Sequence, residues 1–258
     1  MHSVHGTSMQ WLSTPSLPTK PVALCAVSAQ AKWLNSVFAQ RGIQVISVPS
    51  HPGLPKPCSG HPDMLLCHVG GVVSVVGEKA TAEKLSALGM QVESPQNKFA
   101  PRYPKDVLLN VLIINRFLLG NLSHVDPAVL YWAKEKGLSL VSVAQGYARC
   151  STLIVNANSI ITADPSIAKE ARRVGIEVLE ITPGYVVLPG YSYGFIGGCC
   201  GLVAPNLLAI CGKLNSHPDH LRIRAFLQQR GVSVWELPSP DGRLWDIGGI
   251  IPLAERYC

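Results

Sequence analysis

The chain has 258 residues, 47% hydrophobic and 15% charged, with a net charge of +6 and a pI near 8.9. That length and apolar content suffice to bury a core unaided, and Lys and Arg fall one or two at a time, without the basic run or aromatic interleaving of a nucleic-acid surface. No apolar stretch reaches the ~18–20 residues of a membrane span, and the opening MHSVHGTSMQWLSTPSLPTK lacks the apolar core of an export signal, so a cytoplasmic protein is expected, with no nucleic-acid and no membrane partner.

Residues 1–19 carry Ser, Thr and Pro without periodicity and are expected to be poorly ordered, leaving 20–258 as a single domain. The first strand is VALCAV at Val22, followed by the helical stretch AKWLNSVFAQR, a Gly at 42, and the alternating phrase GIQVISV. MLLCHV and VVSVV are the next strands; EKLSAL is a helix ending at Gly89, and GMQVESP follows it. VLLNVLI, FLLGN, the helix DPAVLYWAKEK and GLSLVSV from Gly137 repeat the order, as do TLIVNA, SIITA, DPSIAKEARRV and GIEVLEI from Gly175. The last round is GFIGGCC, LLAIC, HLRIRAFLQQR and GVSVWEL from Gly231, and LWDIGGII closes the sequence of strands.

The five anchor glycines are 47, 48, 38 and 56 residues apart, a period at which self-similar units build stacked or ring-like architectures. Each Gly stands where a helix C-terminus needs a left-handed residue, and the phrase after it alternates like a strand with one buried face. Asp126-Pro127 and Asp164-Pro165 begin two of the helices as N-cap and first helical residue, each 11 residues before its Gly. Every unit is strand, helix, strand, strand. A doubly wound α/β sheet also alternates strands and helices, but needs neither the extra strand nor the fivefold recurrence.

Eight cysteines occur without a CxxC pair, and the eight His residues are not at zinc-ligand spacing, so neither metal nor cofactor is expected. Most thiols are expected to be small core hydrophobes, with Cys258 at an exposed terminus. GYSYGFIGG lacks the spacing of a phosphate cradle, His217-Pro218-Asp219 reads as the start of a helix, and Lys213 and Asn215 as rim residues.

If five units surround one axis, their third strands line it, and polar residues within those strands should share a pocket. Those residues are Cys67 and His68, Asn110, Asn156 and Asn158, Cys199 and Cys200, and Asp246. An unpaired buried polar group costs about 1–3 kcal/mol, so one per strand implies a bonded network, a ligand site, or both.

The fivefold pattern, the GG-containing inner strands and the phrase YSYGFIGGCCGLV resemble the guanidino-modifying-enzyme, or pentein, superfamily, in a bacterial branch, over about residues 20–253. The resemblance implies an α/β fold, a five-bladed α/β propeller about a pseudo-fivefold axis. It also implies hydrolysis or transfer at a carbon–nitrogen bond of a guanidine or amidine through a Cys nucleophile. On it, Gly197-Gly198-Cys199-Cys200 is similar to the segment before the family's nucleophile, with either thiol as the candidate. His68 is its His partner, and Asp246, or as second choice Asp63, the carboxylate for the cation. Cys67, Asn110, Asn156, Asn158, Gly197 and Gly198 would then contact a small-molecule ligand.

Such a set has a physical rationale: a thiolate attacks the amidine carbon, His⁺ lowers the thiol pKa and protonates departing nitrogen, and the carboxylate neutralises the cation. Other readings stay open. GGCCG is also what closely approaching strands require, His68 also reads as a bonded core residue, Asp246 as a cap for backbone NH groups, and the whole as a catalytically silent module that binds a small molecule or a protein.

Overall fold

In a computed structural model, residues 3–4 and 7–257 are described, with side chains from Met9. Cys258 and residues 1, 2, 5 and 6 of the segment expected to be poorly ordered lie outside the described residues. Five small sheets form, and each repeats one plan: an inner strand runs antiparallel to a middle strand, and a helix then carries the chain over to an outer strand parallel to the middle one.

The sheets, inner strand first, are Leu66–Gly70, Val73–Val76 and Gln91–Glu93; Leu112–Ile114, Phe117–Gly120 and Ser139–Ser142; Thr152–Asn156, Ser159–Thr162 and Glu177–Glu180; and Cys200–Ala204, Leu207–Cys211 and Ser233–Leu237. The remaining sheet takes its inner strand from the far end of the chain. There Ile251–Arg256 runs antiparallel to Val22–Ser28, which is parallel to Gln44–Val48. Thr7–Trp11 adds a further strand on the other side of Ile251–Arg256, with Trp11 opposite Ala254.

The local reasons are those visible in the sequence. Gly42, Gly89, Gly137, Gly175 and Gly231 all have φ between +66° and +86°, so at every helix end the residue without a Cβ takes the left-handed turn that returns the chain as a strand. Asp126 accepts from Ala128 N, and Asp164 from Ile167 N, as N-caps. The helices Lys79–Ala87, Pro127–Glu135, Pro165–Arg173 and His220–Gln228 each bury one stripe, such as Ile167, Ala168 and Ala171, and expose the other.

Inner and middle strands are buried on both faces, which is why they read as apolar runs. The inner strands approach one another around a common axis, closely enough that a Cβ on Gly201 would stand 2.0 Å from the Ile250 carbonyl oxygen. These strands begin later than the phrases that announced them. MLLCHV contributes only from Leu66, GFIGGCC only from Cys200, and LWDIGGII only from Ile251, while Asn110 precedes the strand Leu112–Ile114. Asn110, Gly197, Gly198, Cys199 and Asp246, expected within inner strands, therefore stand ahead of them.

Candidate functional site

The segments just ahead of the five inner strands enter the axis at the same end. Ahead of Leu66–Gly70 the chain makes a short turn at Lys56–Cys58 and a single helical turn at Pro62–Leu65, which set out Cys58, His61 and Asp63. Asp63 N donates to the Gly248 carbonyl at 3.1 Å. Gly248 has φ +75°, and a Cβ there would fall 2.4 Å from His61 Cα, so only glycine permits this approach.

Asp246 is 3% exposed and held by backbone donors: Phe195 N at 2.9 Å to Oδ2 and Gly248 N at 3.0 Å to Oδ1. His61 Nδ1 lies 3.7 Å from the same Oδ1. Asn110, 1% exposed, is a cross-brace: its Nδ2 donates to the Asp63 carbonyl at 2.9 Å and to Cys150 Sγ at 2.8 Å, and its Oδ1 accepts from Arg149 N at 2.9 Å. Three of the five units are thereby tied through one side chain.

These groups surround a cavity of about 270 Å³ whose walls include Cys58, His61, Cys150 and Asp246, with Tyr147, Tyr191, Tyr193 and Phe195 as an aromatic side. Tyr147 and Phe195 pack at 5.9 Å and Tyr193 and Phe195 at 6.3 Å between centroids. The Tyr147 hydroxyl donates to Asp106 at 2.6 Å. Asp246 lines the cavity, and two more carboxylates stand behind its wall, Asp63 beside Cys150 and Asp106 bonded to Tyr147, all at most 3% exposed. Apart from the Cys150 thiol beside Asp63, no donor reaches the Asp63 carboxylate, and Oδ1 of Asp106 has none, an arrangement that costs free energy unless donors arrive.

The electrostatics follow from this crowding. Burial raises the Asp63 carboxyl above its usual range; His61 and Arg149 oppose the rise and Asp246 adds to it. Burial likewise raises the Cys150 thiol well above its ordinary value, with Asp63 and Asp246 contributing. Cys58 is pushed up to about 12, by burial first and then by Asp63 and Asp106, while a hydrogen bond from Tyr191 works the other way. Without a ligand, both thiols are protonated. No group of three or more His, Cys, Asp or Glu able to hold a metal ion occurs among the described residues.

Of the residues singled out in the sequence, Asp246, Asn110, Gly197 and Gly198 meet at this end of the axis, and so does Asp63, the second choice. Gly197 leaves no space for a side chain, since a Cβ would stand 2.2 Å from the Thr152 carbonyl. The other residues are elsewhere.

Cys199 and Cys200 do not face the cavity: both are at most 1% exposed, and both sulfurs point to the Ile196 carbonyl, at 3.0 and 3.3 Å, inside the main core cluster. Their run is small because backbones approach there. Cys67 and His68 lie further along their strand and line a separate cavity of about 20 Å³ with Arg149 and Pro15, where His68 Nε2 meets the Gly71 carbonyl at 3.0 Å. Asn156 and Asn158 form a hairpin turn, with Asn158 N donating to Asn156 Oδ1.

Sequence reasoning passed over Cys58, His61, Tyr147 and Cys150. One signal was present: Cys58-Ser-Gly-His61-Pro-Asp63 packs three chemically active side chains into six residues directly before an apolar strand.

Five such units around an axis, with the polar groups gathered at one end, define the pentein fold of the guanidino-modifying enzymes. Solved structures with this architecture include the inosamine-phosphate amidinotransferase of Streptomyces griseus, at 12% identity and a TM-score of 0.61, covering 96% of this chain and 98% of that one. DDAH from Pseudomonas aeruginosa, a cysteine-to-serine mutant complexed with citrulline, matches at 11% identity and a TM-score of 0.57, over 93% of this chain and 100% of that one. An amidinotransferase of the saxitoxin biosynthetic pathway from Microseira wollei matches at 9% identity and 0.56, over 91% and 97%.

Within that fold the chain belongs to a family of unknown function, DUF6873, whose model matches residues 26–251. No curated protein matches it.

Proposed function

We propose that the cavity binds a small molecule through a planar amidinium or guanidinium group and that the protein acts on one of its carbon–nitrogen bonds with Cys150 as nucleophile. The observation that carries this is a set of three buried carboxylates at an aromatic-walled cavity: Asp246 in its wall, and Asp63 and Asp106 behind the wall residues Cys150 and Tyr147, with too few donors for their oxygens. A guanidinium brings up to five N–H donors and one delocalised charge, which answers both the missing hydrogen bonds and the excess negative charge. Aromatic faces such as Tyr147 and Phe195 favour a cation further.

In the proposed step the Cys150 sulfur, with Asn110 Nδ2 already donating to it, forms a bond to the amidine carbon, and its proton passes to Asp63. A carbon–nitrogen bond breaks, the leaving nitrogen takes a proton from His61 as its imidazolium, held by Asp246, and water or an amine then displaces the sulfur. The raised thiol fits this order of events, because the arriving cation offsets the carboxylates and makes the thiolate accessible only when a substrate is present.

A reactive amidine, 2-chloroacetamidine, tests the reading. Mass spectrometry should find the label on Cys150, and methylguanidine should protect against it. Labelling of Cys199 or Cys200 in preference, or labelling no faster than with neutral chloroacetamide, would refute it.

A further inference from the structure

The His61–Asp246 pair is shared by two cavities. Behind it, away from the tyrosines, lies a second chamber of about 510 Å³, separated from the first by the chain at Leu188–Gly190, which closes against Pro57. His61, Leu188 and Asp246 line both spaces, which therefore adjoin at the pair.

We propose that this second chamber takes an uncharged, ring-bearing apolar tail of the same ligand, so that the substrate is an amidine or guanidine with a hydrophobic extension. The inference rests on the cation reading above for the head alone. Trp33 and Trp245 both line the chamber, together with Pro57, Pro189 and Pro240. Trp33 is 36% exposed, large for a tryptophan, yet its ring is fixed by its Nε1 donating to the Pro238 carbonyl at 3.1 Å. A pinned, solvent-facing indole loses little entropy on covering and gains from burial of apolar surface.

The polar side chains in the wall are partly engaged with one another. Ser28 Oγ accepts from Gln30 N at 3.1 Å, and Gln30 Nε2 donates to Ser50 and Ser59. Lys56 is the only other charged side chain among the lining residues, and its ammonium opposes a second cationic group. A planar, neutral tail remains.

Calorimetry with methylguanidine, with phenylalkylguanidines bearing two to five methylenes, and with the matching phenylalkyl alcohols tests this. The best-fitting phenylalkylguanidine should bind at least tenfold tighter than methylguanidine. Trp33→Ala should reduce that gain to about twofold while leaving the methylguanidine Kd unchanged; Trp33→Leu serves if the alanine variant folds poorly. A gain below twofold for every linker, or one that survives both Trp33 substitutions, overturns the proposal.

The head reading fails separately, if methylguanidine does not bind and Asp246→Asn changes nothing. The phenylalkyl alcohols then decide: Trp33-dependent binding upholds the tail chamber, and its absence overturns it.

Discussion

Gly198 and Asp246 exclude each other's growth: a Cβ on residue 198 would stand 2.1 Å from Oδ1 of Asp246 and 2.4 Å from its Cγ. Gly198→Ala must therefore move the carboxylate that His61 and two backbone donors hold in place. Its expected cost is about 1–3 kcal/mol of stability, as for other overpacked sites, together with at least a tenfold loss of methylguanidine affinity. Titration of the variant checks this, and unchanged affinity would mean that Asp246 is no part of the binding site.

Asn110→Ala removes the donor to the Asp63 carbonyl and the acceptor for Arg149 N, leaving both buried groups without partners. Urea denaturation should show a loss of about 2–4 kcal/mol, larger than for an exposed Asn such as Asn158. A loss under 1 kcal/mol would show that neighbouring segments hold the axis without this brace.

Thiol reactivity separates the core cysteines from the cavity. Cys199, whose thiol burial holds well above its ordinary value, should resist alkylation in the folded protein. Cys58 should react slowly, with a rate that keeps climbing tenfold per pH unit past pH 9 toward about 12. A plateau near pH 8.5, the behaviour of a free thiol, would contradict the cavity electrostatics.

His68 predicts a pH dependence of stability. Burial lowers its pKa to about 4, a change that Gly71 opposes and Lys136 reinforces, whereas the unfolded chain titrates near 6.5. Between those values the unfolded state binds a proton that the folded state refuses, so stability falls as pH drops from 6.5 to 4 and stops falling below that. The full loss is on the order of 3 kcal/mol. His68→Gln should flatten the profile over that window in chemical denaturation at pH 7, 5.5 and 4; an unaltered slope would place the titration elsewhere.

The repeat was legible because its signals are local. A glycine after a helix, an Asp-Pro before one, and two-residue alternation each report on a single turn or strand, and all five rounds carry them. The site was legible only in part, because it depends on where each inner strand begins. Asp246 and Asn110 were found as polar residues in apolar runs, and that logic also selected Asn156, which lies at the opposite end of its strand in a hairpin turn. Cys199 and Cys200 resembled a reactive segment, yet the short helical turn Gly197–Cys199 rotates both sulfurs toward the Ile196 carbonyl, a direction that residue order does not encode. Cys150 gave no signal of its own, since its importance comes from carboxylates brought by other units, and Cys58 was marked only by its nearness to His61 and Asp63.

The pairing of Ile251–Arg256 with Val22–Ser28 sets a timetable for synthesis. Glu255 accepts hydrogen bonds from Thr19 N and Lys20 N, and Thr19 leaves the ribosome 236 residues earlier. At ordinary translation speeds that interval is roughly ten to fifty seconds, during which the Val22–Ser28 strand waits with one edge bare. The nascent chain must shield that edge from neighbours, and the first sheet to be made is the last to be finished.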